Sequence, residues 1–417
     1  MKNISASIVS IGTEILLGEI VNTNSQYLSV ELAKLGIDVY EHHTVGDNRQ
    51  RLLDYFQEAL KKYDMVIATG GLGPTIDDIS KETACEFFGM ELVIDENSLE
   101  NLREIFKRFG RTMTDNNIKQ AMFPKNAVIL KNGAGSAPGC ILEKNGKRII
   151  LLPGPPNEMK LMFDKEVVPY LLKLTDSVLY SEVIKMCGIG ESAMEEMVLD
   201  IIESSVNPTI APYAKTGECR LRVTAKAESI DKASELVKPV VKKLVERLGD
   251  NVYTVGDDTL AQTVAKMLAD MKVTISGAES CTGGMVASMF VDCPGISEVF
   301  KESFVTYSND SKIRNLGVSL ETLEKYGAVS EQCAKEMAEG SARKSGSDVA
   351  YSITGIAGPD GGSELKPVGT VCFGLYIRGM TVTHTMRFYG DRTIIRTRAS
   401  IYVLDMLRRE LLKFGTH

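Results

Sequence analysis

Several motifs that identify common classes of protein are missing from this sequence of 417 residues. The eight cysteines are scattered and form no C-x-x-C pair, which argues against a disulfide framework or a structural zinc site and favours reduced thiols. The four histidines include no H-E-x-x-H motif of the zinc proteases. A Ser–His–Asp triad would have to use His384, which stands alone in a strand-like run, and we do not expect one.

Long apolar runs and dense basic runs are also absent. No apolar stretch is long enough to span a bilayer, and the N-terminal MKNISASIVSIG has the pattern of a first strand and not of a signal peptide. We therefore expect a cytoplasmic protein with no membrane partner. The formal net charge of −7 argues against a nucleic-acid partner held by bulk electrostatics.

The composition that is present is that of a globular protein. Hydrophobic residues make up 44% and charged residues 25% of the chain, whose length suits two or three domains. From SASIVSI to DMVIATG, apolar strand-like runs alternate with helical patterns, which predicts a parallel α/β sheet with helices on both faces. Because ligands bind at the carboxyl ends of such strands, the loops that follow strands are the most informative.

Three loops of this kind carry the candidate residues of a first domain, residues 1–173. They are GTEILLGEIVNTN, TGGLGPTIDDISKE and LLPGPPNEM. Asp77 and Asp78 stand at a helix start, where carboxylates either cap the helix or hold a divalent cation that bridges phosphate oxygens. We favour the cation, because glycines, a threonine and two aspartates share one loop.

The middle segment, residues 174–252, predicts a small α+β module with the order β-α-β-β-α. Modules of this kind can bind RNA, but the G-x-x-G loop with basic flanks is missing and only Gly188-Ile-Gly190 occurs. We therefore favour a spacer and dimerisation role for this segment over nucleic-acid binding.

The last domain, residues 257–417, contains the stretch with the most chemistry, residues 273–312. A strand-like run leads into a hydroxyl-rich glycine turn and a helix start, where free backbone N–H groups would bind an anion; the alternative is that the small residues only allow close packing. Ser280 lies in that turn and is the first candidate nucleophile, and Ser297, Tyr307 and Lys312 follow. Together they suggest nucleophilic or general-base chemistry on a phosphorylated small molecule.

A second glycine loop and two arginines extend this candidate pocket. The loop from Thr354 to Gly358 follows the strand-like run DVAYSI. Arg392 and Arg396 lie near the start of the closing helix, either on a solvated face or, since arginine there opposes the helix dipole, against an anionic ligand. We choose Arg392 for a phosphate or ribose contact.

At the level of motifs, TGGLGPTIDD, GTEILLGEIVNTN and PGPPNEM resemble the domain shared by molybdopterin-binding proteins and the CinA family. ESCTGG, TYSNDSK, TGIAGPDGGS and KPVGTV resemble the CinA C-terminal domain, so the likeness covers nearly the whole chain; Ser80, where we expect threonine, is a mild departure. The resemblance implies a three-layer MoaB/MogA-like domain, a KH-like middle domain and a C-terminal α/β/α domain. It further implies metal-dependent hydrolysis of ADP-ribose to AMP and ribose 5-phosphate in the first domain, and hydrolysis of nicotinamide mononucleotide to nicotinate mononucleotide and ammonia in the last.

The resemblance also implies roles for residues. It assigns a catalytic trio to Ser297, Tyr307 and Lys312, with Lys312 as base and Tyr307 as proton relay or support, and it leaves Ser280 to substrate binding. The substrate-binding set of the last domain is Ser280, Thr282, Gly283, Thr354, Gly358 and Arg392. The set of the first domain is Glu14, Asn24, Gly71, Thr75, Asp77, Asp78 and Glu158.

Cofactors and partners follow from the same likeness. Asp77 and Asp78 are the expected ligands of a divalent metal ion (Mg, Mn or Co), a monovalent cation is a further candidate, and the deamidase needs no cofactor. We expect a homodimer that binds small nucleotides. The alternative is a non-catalytic nucleotide- or pterin-binding scaffold linked to competence or to molybdenum-cofactor metabolism.

Overall fold

The computed structural model describes residues 4–108, 110, 112–175 and 178–414. The mixed α/β chain forms two compact units, one of residues up to 180 with 225–235, the other of residues 181–224 with 236 onward. Most of the middle segment therefore groups with the last domain. Within the described ranges, no helix is both long and apolar enough to cross a membrane.

A six-stranded sheet forms the centre of the first unit. Its strands are β1 (Ser5–Ile11), β2 (Asp38–Val45), β3 (Met65–Thr69), β6 (Val128–Leu130), β7 (Gly139–Lys144) and β8 (Lys147–Leu152), and a separate pair consists of β4 (Val93–Ile94) and β5 (Met122–Phe123). The spatial order is β2-β1-β3-β8-β7-β6. The first four are parallel and β7 is antiparallel to both of its neighbours, so the predicted parallel-rich α/β sheet is confirmed.

Helices cover both faces of this sheet. Successive side chains of a strand point to opposite faces, so a strand with consecutive apolar residues needs a helix layer on each side. They are α1 (Thr13–Leu16), α2 (Thr23–Lys34), α3 (Arg49–Lys62), α4 (Ser80–Phe88), α5 (Glu96–Arg108), α6 (Asp115–Ile118), α7 (Pro156–Met162) and α8 (Val168–Leu171). Ile8 of β1 belongs to the core that includes Leu28 of α2. Its neighbour Val9 belongs to the opposite core with Phe56 of α3. The alternation of β1 thus joins three layers.

A small four-stranded sheet follows, with the order β10-β11-β9-β12. Its elements are β9 (Val178–Met186), α9 (Glu191–Ser204), β10 (Thr209–Lys215), β11 (Glu218–Ala227), α10 (Ile230–Leu248) and β12 (Val252–Val255). The predicted β-α-β-β-α order is present, and β12 adds a strand antiparallel to β9.

The last domain is built on a five-stranded sheet with the order β14-β13-β15-β16-β17. Its strands are β13 (Ile275–Glu279), β14 (Phe300–Val305), β15 (Val349–Gly355), β16 (Thr370–Ile377) and β17 (Met380–Arg387). Its helices are α11 (Leu260–Asp270), α12 (Met285–Val291), α13 (Asn309–Ser311), α14 (Leu320–Tyr326), α15 (Glu331–Ser345) and α16 (Arg392–Phe414). The strands β14, β13 and β15 are parallel, and α11 and α16 share one buried core while α15 packs in another.

Candidate functional site

The carboxyl ends of three parallel strands bring the candidate residues of the last domain to one edge of its sheet. Glu279, the last residue of β13, pairs with Val305 of β14 and with Ile353 of β15. The turn after β13 begins with Ser280, and the segment after β14 begins with Thr306. This is the edge at which α/β sheets bind their ligands.

Lys312 is buried at this end of the strands and contacts Ser280. The lysine is 1% exposed, and its Nζ donates to Ser280 Oγ at 3.1 Å, to the Thr306 carbonyl at 2.8 Å and to the Tyr307 carbonyl at 3.4 Å. Burial lowers the pKa of Lys312, because the charged ammonium is poorly solvated inside the protein. A lysine with a lowered pKa beside a serine hydroxyl matches the pairing of a base with a nucleophile.

Ser297 lies at the opposite, amino-terminal end of the parallel strands. It precedes β14, whose first residue, Phe300, pairs with Ile275 at the beginning of β13. A strand rises about 3.3 Å per residue, so the two ends of β14 are roughly 17 Å apart. The structure thus corrects the predicted trio: Ser297 is not brought to Lys312, and Ser280 stands beside the lysine instead.

Tyr307 lies at the correct edge, but its phenol has a different partner from the one we expected. The residue is 65% exposed, and its hydroxyl accepts a hydrogen bond from Arg392 Nη2 at 3.3 Å. Only the backbone carbonyl of Tyr307 contacts Lys312 Nζ. A proton relay through the phenol to Lys312 therefore has no support in this geometry.

The two arginines of α16 hold the two glycine loops. Arg392 Nη1 donates to the Gly358 carbonyl at 2.7 Å. Arg396 donates to the carbonyls of Cys281 and Thr282, at 3.1 and 2.8 Å. The exposed Arg392 is therefore the one that can also face a ligand. Both contacts of Arg396 are with the turn of residues 280–284, which we call the serine turn.

The remaining predicted binding residues of this domain divide into two kinds. The hydroxyl of Thr354 donates to the Ala328 carbonyl at 2.8 Å and is occupied in joining two loops. The hydroxyl of Thr282 is buried, and within the described part of the chain it has no hydrogen-bond partner. Gly283 follows it in the left-handed region, with φ at 63°. The turn that contains Ser280 thus also contains one buried, unsatisfied hydroxyl.

Glu279 is the residue of this site that sequence reasoning missed. Its carboxylate accepts hydrogen bonds from the backbone N–H groups of Gly284, Val286 and Ala287 at the start of α12. The expected anion site at this helix start is therefore filled by the protein's own side chain, a correction to the prediction. The signal was present in the sequence, since an acidic residue that ends an apolar strand needs buried donors.

The first unit has a separate cavity of about 380 Å3 at the carboxyl ends of β1 and β3. It brings together five of the predicted residues: Glu14, Gly71, Asp77, Asp78 and Glu158. Asp47 adds a fifth carboxylate, and no lysine or arginine occurs among the described residues that line the cavity. A cavity with only negative charges repels a pyrophosphate unless a cation accompanies it.

Two residues predicted for this site support its walls instead. Asn24 donates to the Gly154 carbonyl at 2.8 Å, and its Oδ1 is buried and lacks a partner among the described residues. Thr75 donates to Asp78 Oδ2 twice, from its backbone N–H at 2.9 Å and from its hydroxyl at 2.5 Å. Asp78 therefore stabilises the turn of its own loop and does not cap α4, whose start has no side-chain cap.

Carboxylates suit hard cations such as Mg²⁺, but they do not form a complete cage here. Within the described ranges, no group of three or more His, Cys, Asp or Glu side chains is placed to hold a metal ion. Mg²⁺ often uses only one or two carboxylates and takes its other ligands from water and substrate phosphates. The cavity fits a metal that arrives with a phosphate ligand, and it does not fit one held by Asp77 and Asp78 alone.

Comparison with known proteins assigns a family model to each part of the chain. Residues 7–173 match a probable molybdopterin binding domain, residues 181–254 the damage-inducible protein CinA KH domain, and residues 257–411 the CinA C-terminal domain. A putative competence-damage inducible protein of Clostridium perfringens is 55% identical over 98% of this chain and 99% of its own length. A protein of the same description from Clostridioides difficile is 53% identical over 98% of this chain and 99% of its own. A crystal structure of competence/damage inducible protein CihA from Agrobacterium tumefaciens is 43% identical and covers 36% of this chain and 92% of its own, with a TM-score of 0.35.

Proposed function

Because the chain belongs to the CinA family, we propose that its last domain hydrolyses the carboxamide of nicotinamide mononucleotide, with Ser280 as nucleophile and Lys312 as base. The observation that carries this assignment is the 3.1 Å contact between Lys312 Nζ and Ser280 Oγ. The substrate follows from the family resemblance of this domain. The paired nucleophile and base support an acyl-transfer reaction of that kind.

The proposed reaction uses both residues twice. Neutral Lys312 accepts the proton of the Ser280 hydroxyl as Oγ attacks the carbonyl carbon of the carboxamide. The amide nitrogen then leaves as ammonia, taking that proton from Lys312, and an ester on Ser280 remains. A water molecule hydrolyses the ester with Lys312 again as base, which gives nicotinate mononucleotide and restores the hydroxyl.

Substrate binding is assigned to the groups at the same sheet edge. Arg392 is the candidate for the phosphate, because it is exposed beside Tyr307 while Arg396 is held by the serine turn. The unpartnered hydroxyl of Thr282 is a second candidate contact. Gly358 and Thr354 position these groups through the loop that Arg392 holds.

Ammonia release from nicotinamide mononucleotide tests the assignment. We expect Ser280→Ala and Lys312→Ala to lose activity by about 10³-fold or more, since removing a nucleophile or its base leaves only binding and charge stabilisation. Ser297→Ala is the matched control and keeps wild-type activity. The reverse pattern, with Ser297→Ala inactive and Ser280→Ala active, would support Ser297 as the nucleophile, as the family resemblance implied. Binding of the nucleotide without turnover by the wild type would indicate the scaffold alternative.

We further propose that the cavity of the first unit hydrolyses ADP-ribose with a divalent metal ion. The observation that favours this function is that the charged residues lining the cavity are all acidic, so that a pyrophosphate would bind there only together with a cation. Asp77 and Glu158 would each contribute a carboxylate to the metal, whose other ligands would come from water and the substrate phosphates, and the metal would supply charge neutralisation at those phosphates. Asn24 and Thr75 keep the loops of this cavity in place.

The second activity has its own assay. We measure AMP formed from ADP-ribose with Mg²⁺, Mn²⁺ or Co²⁺ and after chelation, for the wild type, Asp77→Asn and Glu158→Gln. Loss of rate on chelation and in both variants is expected. Glu100→Gln, an exposed carboxylate of α5 outside the cavity, serves as the control. A rate that ignores both chelation and the variants would remove the metal assignment.

A further inference from the structure

Glu279 is a buried carboxylate that the proposed reaction does not use. It is 0% exposed, and its two oxygens accept four hydrogen bonds. Oε2 accepts from the N–H groups of Gly284 at 2.9 Å and Val286 at 3.3 Å, and Oε1 accepts from the N–H of Ala287 at 2.9 Å and from the Tyr351 hydroxyl at 3.0 Å. Each oxygen of Glu279 therefore accepts from two donors.

Glu279 contacts both ends of the serine turn. The backbone of Glu279 directly precedes Ser280, and its side chain holds the chain again from Gly284 onward. Its backbone carbonyl accepts from the Thr306 N–H at 2.8 Å, and the Thr306 carbonyl in turn accepts from Lys312 Nζ at 2.8 Å. One residue therefore contacts the segments that carry the nucleophile and the base.

Tyr351 completes this arrangement from the neighbouring strand β15. A side chain at Gly277 would place its Cβ 2.2 Å from Tyr351 Cζ, so only glycine there lets the ring lie against β13 and reach Glu279. Burial, and then the nearby carboxylate, raise the pKa of Tyr351 well above its ordinary value. The phenol therefore stays protonated and remains a donor to Glu279.

We propose that Glu279 is a positioning residue that sets the distance between Ser280 Oγ and Lys312 Nζ. This inference rests on the proposed function of the same site. It also assigns the start of α12 to the protein itself, so that the substrate phosphate must bind elsewhere at the sheet edge. A shift of the serine turn by about 1 Å is enough to reduce a reaction about 100-fold.

Glu279→Gln tests the inference with little change of shape. The amide replaces one acceptor oxygen by an NH₂ group that meets backbone or phenol donors, so at least one end of the turn is released. We expect kcat for ammonia release to fall about 100-fold while KM changes less than about threefold, because the binding groups are not part of the carboxylate's contacts. Glu302→Gln, an exposed glutamate on β14, is the matched control and leaves both constants unchanged.

A second measurement separates a failure of this inference from a failure of the proposed function. A fluorophosphonate probe reacts with an activated serine without nicotinamide mononucleotide, and we expect it to label Ser280 in the wild type and at least about tenfold more slowly in Glu279→Gln. Labelling that Glu279→Gln does not slow would overturn the role of Glu279. A wild type that is labelled but releases no ammonia would overturn the substrate and leave the role of Glu279 intact.

Tyr351→Phe covers the case in which Glu279→Gln does not fold. This variant removes one donor of the four and no backbone contact, and we expect about a tenfold slower labelling of Ser280. Wild-type labelling and kcat in a folded Tyr351→Phe, together with an unfolded Glu279→Gln, would assign Glu279 to stability alone and overturn the proposal.

Discussion

At the scale of single residues, the activity of this site depends on the protonation of Lys312. Burial lowers the pKa of the ammonium group, so it loses its proton at a lower pH than the ordinary lysine pKa of about 10.4. We predict that kcat/KM for ammonia release rises with pH along an acid limb that reports this lowered pKa. Lys312→Arg, which stays protonated, should lose the limb together with most of the activity. A pH-independent kcat/KM in the wild type would contradict the assignment of Lys312 as base.

The same pKa shift has a consequence for stability. Between the lowered pKa of folded Lys312 and the ordinary pKa of the unfolded chain, the unfolded state binds more protons. The contribution of Lys312 to the free energy of unfolding therefore increases as pH rises through that window. At lower pH, where Lys312 is charged, its burial lowers the free energy of unfolding.

How far individual residues could be predicted depended on whether their role was local. The glycine turn between β13 and α12 follows from neighbouring residues and is present, with Gly283 and Gly284 in the left-handed region, although Glu279 fills the anion site expected there. Ser297 was assigned by likeness alone, and only strand pairing reveals that it lies at the other edge.

At the scale of elements, the position of Lys312 depends on how closely α15 packs against the segment Lys312–Leu316. A Cβ on Gly340 of α15 would lie 2.0 Å from the Leu316 carbonyl oxygen, so this glycine permits the contact. We predict that Gly340→Ala lowers the free energy of unfolding by about 1–3 kcal/mol, because the overpacked helix must move. Ammonia release should fall as well, because Lys312 moves with its segment. Hydrogen exchange at the amides of α15, which reports the local free energy of unfolding, and the ammonia assay measure the two effects.

Gly346 at the end of the same helix provides the control. Its φ is 66° and nothing lies within 4 Å of a Cβ placed there, so Gly346→Ala introduces backbone strain without a clash. We expect a cost of about 1 kcal/mol and unchanged activity. If Gly340→Ala also left activity unchanged, close packing of α15 would not be what places Lys312.

The sequence predicts elements better than it predicts their partners. Alternating apolar runs identify the strands and helices of both large sheets, because burial on one or two faces imposes a period on the side chains. Which strands become neighbours depends on contacts between distant residues, and β16 and β17 extend the parallel part of the last sheet with two antiparallel strands. The position of Ser297 could not be predicted for this reason, because it depends on which strand β14 pairs with.

At the scale of the whole molecule, α16 links the candidate site to the middle segment within one compact unit. Its first turns carry Arg392 and Arg396 at the glycine loops. Farther along the same helix, roughly 20 Å from Arg392 along the axis, Asp405 binds Arg408 and Arg409.

The oligomeric state is a separate question at this scale. The predicted homodimer stays a proposal, and light scattering that gives the mass of one chain would refute it.

The cluster around Asp405 fixes the middle segment to this helix. Asp405 Oδ1 accepts from Arg408 Nη2 at 2.7 Å, and Arg408, which is 3% exposed, also donates to the Asp250 carbonyl. Arg409 binds Asp405 Oδ2 at 2.8 Å and donates to the Cys187 carbonyl at 3.2 Å. Each guanidinium thus joins one carboxylate of α16 to the backbone of the middle segment.

We predict that Asp405→Ala destabilises this unit by about 3–5 kcal/mol, because it leaves the buried charge of Arg408 without its partner. Since a chain of several domains has no single free energy of unfolding, hydrogen exchange resolved along the sequence is the suitable measurement. Amides around Cys187 and Val252 should lose protection, and the six-stranded sheet should keep it. Asp200→Ala, which breaks an exposed pair with Arg247, should change little. If both variants behaved alike, the middle segment would be held by its apolar contacts, and α16 would not transmit changes in that segment to Arg392 and Arg396.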